Sequence, residues 1–132
     1  MTRSYASSAA LCFVLLAVSG CIHNQVSKAV LPAHDDVLVY ELPFDLVYLR
    51  TLEALENVDN WELEETEKEK GIIIVRNVNF SNFTDADKRL IKVLITRVSR
   101  NETTVKLAEE SQHVLGGDKL LTRITEHVGQ EL

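Results

Sequence analysis

Cys21 is the residue whose type and position best suit chemistry. It follows the small residues Ser19 and Gly20, at the end of an apolar stretch that runs from Ala9 to Val18. A cysteine thiolate is a nucleophile, and small side chains leave the neighbouring backbone open to a peptidase. The stretch therefore indicates a processing site, with the cysteine as the reacting group.

The rest of the sequence lacks the motifs of common catalytic and metal sites. There is no Gly-x-Ser-x-Gly elbow, no His-Glu-x-x-His pair and no calcium loop of the Asp-x-Asp-x-Asp-Gly type. The spacing of the histidines matches no ligand-pair motif, and we predict that they are surface side chains: His23, His34, His113 and His127. The sequence therefore predicts no enzyme, no cofactor and no metal site; a hydrolase is disfavoured because no triad is visible.

Residues 1–20 have the composition of a signal peptide. Arg3 is their only charged side chain. The apolar stretch of about ten residues is too short to cross a hydrocarbon core of roughly 30 Å. A short apolar segment behind one positive charge is typical of secretory signals. The alternative is a buried helix of the folded domain.

Val18-Ser19-Gly20-Cys21 resembles the lipobox of bacterial lipoproteins. The resemblance implies a diacylglyceryl group on the Cys21 thiol, cleavage between Gly20 and Cys21, and membrane attachment through the acyl chains, which anchor stably when there are two or three. Lipoproteins retained at the inner membrane often carry Asp after the cysteine. Ile22 therefore implies the periplasmic face of the outer membrane, or the cell membrane in a host with one membrane. Ordinary secretion with a free thiol is the alternative.

After the leader we predict a flexible tether at 21–36 and one domain at 37–132. The tether shows no hydrophobic period and contains Pro32. A β-branched strand is predicted at 37–42, and Pro43 suits the first turn of a helix. That helix is predicted from apolar residues spaced three or four apart, namely Phe44, Tyr48, Leu52, Leu55 and Val58.

Alternation and turn residues predict the remaining elements. They are a strand from Trp61 to Thr66, a hairpin turn at 68–71, strands at 72–80, 88–100 and 104–109, and a closing helix with an N-cap at 116–118. In the second strand, Trp61, Leu63 and Glu65 are expected on one face. The predicted class is α+β, in the order β-α-β-β-β-β-α, with an antiparallel sheet and both helices on one face.

This layout resembles TATA-binding-protein-like folds and the helix-grip domains of lipoprotein component C of the outer-membrane β-barrel assembly machine. The run from Val47 to Val75, a helix followed by a Trp-containing strand and a Gly hairpin, carries the resemblance. It implies a non-enzymatic binding or assembly role in the envelope, with an envelope protein as partner. The alternative is a carrier of a small apolar ligand, held between sheet and helix near Phe44, Tyr48 and Trp61.

Two strands are apolar on both faces, which an antiparallel sheet with one solvated face does not require. If Ile73, Val75 and the odd-numbered positions of the fourth strand point to the core, a set of aliphatic residues is left outside. It consists of Ile72, Ile74, Leu90, Leu94 and Val98. Because a contiguous exposed apolar patch usually marks an interface, we predict a docking face there. Coverage by the stems of Lys92 and Arg76, or by the tether, is the alternative.

The formal charge of -6 argues against a nucleic-acid partner. The charge is unevenly distributed, because residues 53–69 contain eight acids and one lysine, whereas six basic residues and one acid occur at 88–106. The two segments are expected to neutralise one another across the sheet, or else to orient the domain toward a basic partner.

Overall fold

The computed structural model describes residues 33–79 and 89–130, which form an antiparallel sheet with two helices. The elements are β1 (Leu38–Tyr40), α1 (Phe44–Glu56), β2 (Trp61–Glu67), β3 (Ile72–Asn77), β4 (Leu90–Ser99), β5 (Glu102–Leu107) and α2 (Gly117–Val128). Short 3-10 turns occupy Lys68–Lys70 and Glu109–Ser111. The predicted α+β class and element order are confirmed.

Helix α1 begins directly after Pro43, which was predicted to lie in its first turn. Pro43 is the N-cap, and its carbonyl accepts the N–H groups of Leu46 and Val47, each at 3.1 Å. Asp45 lies in the first turn, where a negative charge is favoured. One side of the helix is buried at a spacing of three or four residues, through Val47, Tyr48, Thr51, Ala54 and Leu55. The helix ends at Asn57, whose amide donates to the carbonyl of Glu53 at 2.8 Å.

The strands are ordered β1-β5-β4-β3-β2, so β1 and β2 form the two edges. The connection between β2 and β3 requires glycine at Gly71, where φ is 67°. A Cβ atom there would overlap the carbonyl oxygen of Ile95, and the Ile95 N–H donates to the Gly71 carbonyl at 2.7 Å. The hairpin turn is therefore fixed against β4.

A β-bulge in β2 changes the predicted pattern of that strand. Leu63 lies opposite Val75, but the next pair is Glu65 with Ile74, so Glu64 is the extra residue. The expectation that Glu65 shares a face with Trp61 and Leu63 is therefore wrong. The extra residue reverses the alternation and turns the glutamates that follow it away from the core.

The core lies between one face of the sheet and both helices. The inward residues of β3, β4 and β5 are almost completely buried, and they contact one cluster with residues of α1 and α2. Their exposure is 2% or less for Ile73, Val75, Ile91, Val93, Ile95, Val105 and Leu107. The predicted core register of these strands is confirmed, as is the placement of both helices on one face.

Helix α2 begins within the predicted break at 116–118. Gly116 is the N-cap, with φ of 94°, and Asp118 lies in the first turn. A side chain on Gly116 would meet Trp61, since its Cβ would lie 2.8 Å from Cζ2. The left-handed backbone and this close approach explain the glycine. Within the described residues, no helix is long and apolar enough to span a bilayer.

The predicted boundary between tether and domain can be followed from residue 33 onward. The backbone N–H of His34 donates to the carbonyl of Gln112 at 2.8 Å, so the chain contacts the domain before Val37. Cys21 and Gly20 lie outside the described residues, as do residues 80–88.

Candidate functional site

The candidate site is the sheet face opposite the two helices, called here the outer face. One row of cross-strand partners crosses it from β2 to β5, in the order Glu67, Ile72, Leu94 and Lys106. The two aliphatic side chains are partly buried and Lys106 is exposed. The row is therefore acidic at one end, apolar in the middle and basic at the other end.

A second row contains Ile74 opposite Lys92. The Lys92 ammonium lies 2.7 Å from Glu110, and its backbone N–H donates to the Ser111 hydroxyl at 2.9 Å. The Lys92 carbonyl accepts the N–H of Ala108 at 2.8 Å. The turn that follows β5 is thereby fixed beside the outer face.

Arg76 lies opposite Leu90 in a third row. Its guanidinium contacts Glu64 at 3.0 Å and Glu62 at 3.6 Å, so it reaches toward β2. Lys92 and Arg76 thus both direct their charges to the margins, and their apolar stems remain between the aliphatic side chains.

The predicted docking residues fall into two groups. Ile72, Ile74, Leu90 and Leu94 lie together and are partly buried. Val98 is 56% exposed and occupies the register shift between Arg97 and Ser99, toward the other end of β4. The structure therefore gathers four of the five residues into one patch.

An open concavity of about 700 Å³ lies over the part of this patch that Ile72 and Leu94 form. Ile72 and Leu94 line it together with charged side chains that include Lys92, Lys106 and Glu110. An apolar floor beneath charged margins suits a protein surface with an aliphatic centre and a polar rim.

A second concavity of about 650 Å³ lies at the start of α1. Asp45 contacts Lys68 at 2.7 Å and Arg97 at 3.8 Å, and the Lys68 ammonium lowers the pKa of the Asp45 carboxyl below its ordinary value. Arg97 also stacks 5.3 Å from the ring centre of Phe44. Asp45, Lys68 and Arg97 therefore already have charged or aromatic partners at this end of the sheet.

The aromatic residues suggested for a ligand cavity have different positions. Tyr48 and Trp61 are 3% and 6% exposed and pack within the core. Phe44 is partly buried at the edge of the core, with its ring 5.9 Å from that of Tyr48. Two of the three rings therefore fill the space between sheet and helix.

Polar chemistry inside the core is limited to a few groups. Thr103 is fully buried and donates to the carbonyl of Leu42 at 2.9 Å. Thr51 is also fully buried, and its hydroxyl has no hydrogen-bond partner in the described part of the chain. Burial raises the pKa of the Tyr48 hydroxyl above its ordinary value.

The histidines and acids form ion pairs and no metal centre within residues 33–79 and 89–130. No group of three or more His, Cys, Asp or Glu side chains there could hold a metal ion. His127 of α2 places Nε2 3.2 Å from Glu53 of α1, which links the two helices at their surface.

Sequence reasoning missed Glu67, Lys106 and the 109–111 turn as parts of the outer face. For Lys106 a signal was present, because Glu102, Thr104 and Lys106 alternate with buried residues of β5. For Glu67 the bulge concealed the signal, because the alternation counted from Trp61 assigns the residues beyond Glu64 to the wrong face.

No protein-family model matches the chain, and no curated protein sequence matches it. Among solved structures, the chain is similar to the Zhui aromatase/cyclase from Streptomyces sp. R1128. The similarity has a TM-score of 0.31 and 15% identity, and covers 72% of this chain and 84% of that one. A likeness at this level says nothing about what this chain does.

Proposed function

We propose that the chain is a membrane-anchored lipoprotein that acts as a non-enzymatic envelope module and binds a protein partner through the outer face. The observation that carries this proposal is the gathering of Ile72, Ile74, Leu90 and Leu94 on the face opposite both helices. Ile72 pairs directly with Leu94, whereas Ile74 pairs with Lys92 and Leu90 pairs with Arg76. The apolar stems of these two basic residues therefore join the aliphatic side chains into one patch. A contiguous apolar patch on a surface usually marks an interaction site.

Association of this face with a partner is favoured over its solvation. Removing apolar surface from water is worth about 25 cal/mol per Å². The inner residues have already gained this free energy, since Ile73 and Val75 are fully buried. Ile72 and Ile74 are only partly buried, so a partner that covers them supplies the remainder.

The membrane anchor is inferred from the leader sequence and not from the structure of the domain. Attachment at Cys21 would join the lipid to a chain that contacts the domain from His34 onward. We propose acylation of this thiol and location at the periplasmic face of the outer membrane, or at the cell membrane of a host with one membrane. The support is the Val18-Ser19-Gly20-Cys21 pattern in front of Ile22.

The anchor is tested by Cys21→Ala in the full chain. The variant should leave the membrane fraction after a carbonate wash, and its intact mass should lack acyl groups. Cys12→Ala is the matched control, because Cys12 lies within the leader and should leave both measurements unchanged. Retention of Cys21→Ala in the washed membrane would contradict the proposed anchor.

The face is tested by crosslinking in the native membrane followed by mass spectrometry. Leu94→Glu should abolish capture of the partner. Leu49→Glu is the matched control, because Leu49 is 55% exposed on α1, on the opposite side of the molecule. Equal capture by both variants would overturn the assignment of the outer face.

A further inference from the structure

The charges of the outer face are arranged in a way that complements the same face of another copy. In the row of Glu67, Ile72, Leu94 and Lys106, the acid and the base stand at opposite ends of an apolar centre. We infer that the partner of the outer face is a second copy of this chain, packed face to face. This inference rests on the proposed function of that face.

A two-fold axis parallel to the strands, between β3 and β4, places each charged end of the row opposite a group of the other sign. Rotation about this axis places β2 of one copy over β5 of the other. Glu67 then faces Lys106 of the second copy, and Ile72 faces Leu94. Each contact occurs twice, as a closed two-fold interface requires.

The alternative two-fold axis, perpendicular to the strands, gives an unfavourable arrangement. It places β2 over β2 and brings the outward glutamates of the two copies together. Glu62, Glu64 and Glu65 are exposed on this strand, and the single cation Arg76 that contacts Glu62 and Glu64 offsets only part of their charge. Since like charges repel across an interface, the charge pattern selects the first axis and fixes the orientation of the two copies.

The groups at the ends of the row are able to make these contacts. Lys106 is exposed and has no ion-pair partner in the described part of the chain. Glu67 contacts Lys70 at 2.5 Å, but its carboxylate has two oxygens and can accept a second cation. The Lys92 ammonium is already held by Glu110 and leaves the centre of the row apolar.

The size of the face sets the strength of this association. Rotation about the axis between β3 and β4 overlaps four strands, β2 to β5. Four strands about 4.8 Å apart and about 20 Å long give roughly 380 Å² per copy. A stable interface buries about 800 Å² per partner. We therefore expect a weak complex that depends on salt, because its outer contacts are exposed ion pairs.

The first test places a photocrosslinking amino acid at Leu94 in the full chain, in its native membrane. The expected product is a band at twice the monomer mass that contains only this chain. A crosslink exclusively to another protein would overturn the inference and leave the proposed docking function intact. If no crosslink formed, both would be overturned.

The second test exchanges the charges at the ends of the row. Glu67→Lys and Lys106→Glu should each weaken self-association about tenfold, because each change places like charges at two symmetric contacts. When the two variants are mixed, every contact again joins opposite charges, so association between them should return. Glu56→Lys mixed with Lys119→Glu, both on helices, is the matched control and should behave as the unmodified chain. A mixture that associates no better than either variant alone would overturn the inference.

Discussion

The inner and outer faces of β3 have nearly the same composition and differ in what covers them. Ile73 and Val75 point inward and are fully buried beneath the helices. Ile72 and Ile74 point outward and are partly buried beside Lys92 and Glu110. An isoleucine therefore does not define the core by itself, because the position of the helices decides which face becomes core.

The two faces are also held by different forces. The inner face depends on burial of side chains, at roughly 1.5–3 kcal/mol for each fully buried aliphatic residue. The outer face is bordered by exposed ion pairs, such as Lys92 with Glu110 and Arg76 with Glu64. Exposed pairs contribute under about 1 kcal/mol each and are screened by salt.

The sharpest test of this difference compares two consecutive residues of β4. Ile95→Glu should unfold the domain, because it buries an unpaired charge at a position only 2% exposed, at a cost of about 4 kcal/mol or more. Leu94→Glu places the same charge on the outer face next to Lys106 and should cost about 1 kcal/mol. Urea denaturation followed by circular dichroism measures both. Unfolding of Leu94→Glu would show that Leu94 is a core residue.

The separation of the faces depends on the turn at Gly71, which fixes the register of β3. Gly71→Ala should destabilise the domain by about 2–3 kcal/mol, because it adds strain at positive φ and a clash with the Ile95 carbonyl. Gly71→Asn separates the two causes, since asparagine tolerates the left-handed backbone but still carries a Cβ. Thermal melting should show comparable losses for both variants. A stable Gly71→Asn would mean that backbone strain, and not the close approach, requires the glycine.

Two buried threonines differ in whether their hydroxyl groups have hydrogen-bond partners, and substitutions can test this difference. Thr51→Val should stabilise the domain by about 1 kcal/mol, because it removes a buried hydroxyl that has no partner in the described part of the chain. Thr103→Val should destabilise it by a similar amount, because the Leu42 carbonyl loses its donor. Urea midpoints measure both changes. Shifts of the same sign would contradict this difference between the two sites.

The smallest expected effect concerns the ion pair at the margin of the outer face. The Lys92 ammonium lowers the pKa of Glu110 below its ordinary value of 4.5. The stabilisation is therefore present above pH 4.5 and is lost as the pH falls through the lowered value. Lys92→Met keeps the apolar stem and should raise the pKa of Glu110 in an NMR titration, whereas Lys106→Met should leave it unchanged. An unaltered pKa in Lys92→Met would contradict the pairing.

Local patterns were sufficient to predict the elements and the core. The spacing of apolar residues after Pro43 gave α1, and alternation in β3 and β4 gave the faces of the sheet. These predictions succeeded because helix and strand periodicities are properties of neighbouring residues. The position of Gly71 gave the hairpin for the same reason.

The predictions that failed concern features that depend on contacts between segments distant in sequence. The bulge at Glu64 is defined by the pairing of β2 with β3, and nothing in the alternation of β2 indicates it. The fifth strand was predicted to continue to Glu109, but it ends at Leu107, where Ala108 and Ser111 bind the backbone of Lys92. The position of Lys106 on the outer face therefore became evident only from the pairing of β4 with β5.

The bulge also has a consequence for the chain at high local concentration. Edge strands with free backbone groups can pair with other molecules and extend into fibrils. Edge β1 has only three residues, and edge β2 carries an interrupted ladder and several exposed glutamates. Two β2 edges therefore repel one another and cannot form a regular ladder. The face-to-face pairing inferred above would therefore end at two copies, because the β2 edges do not extend it into a continuous sheet.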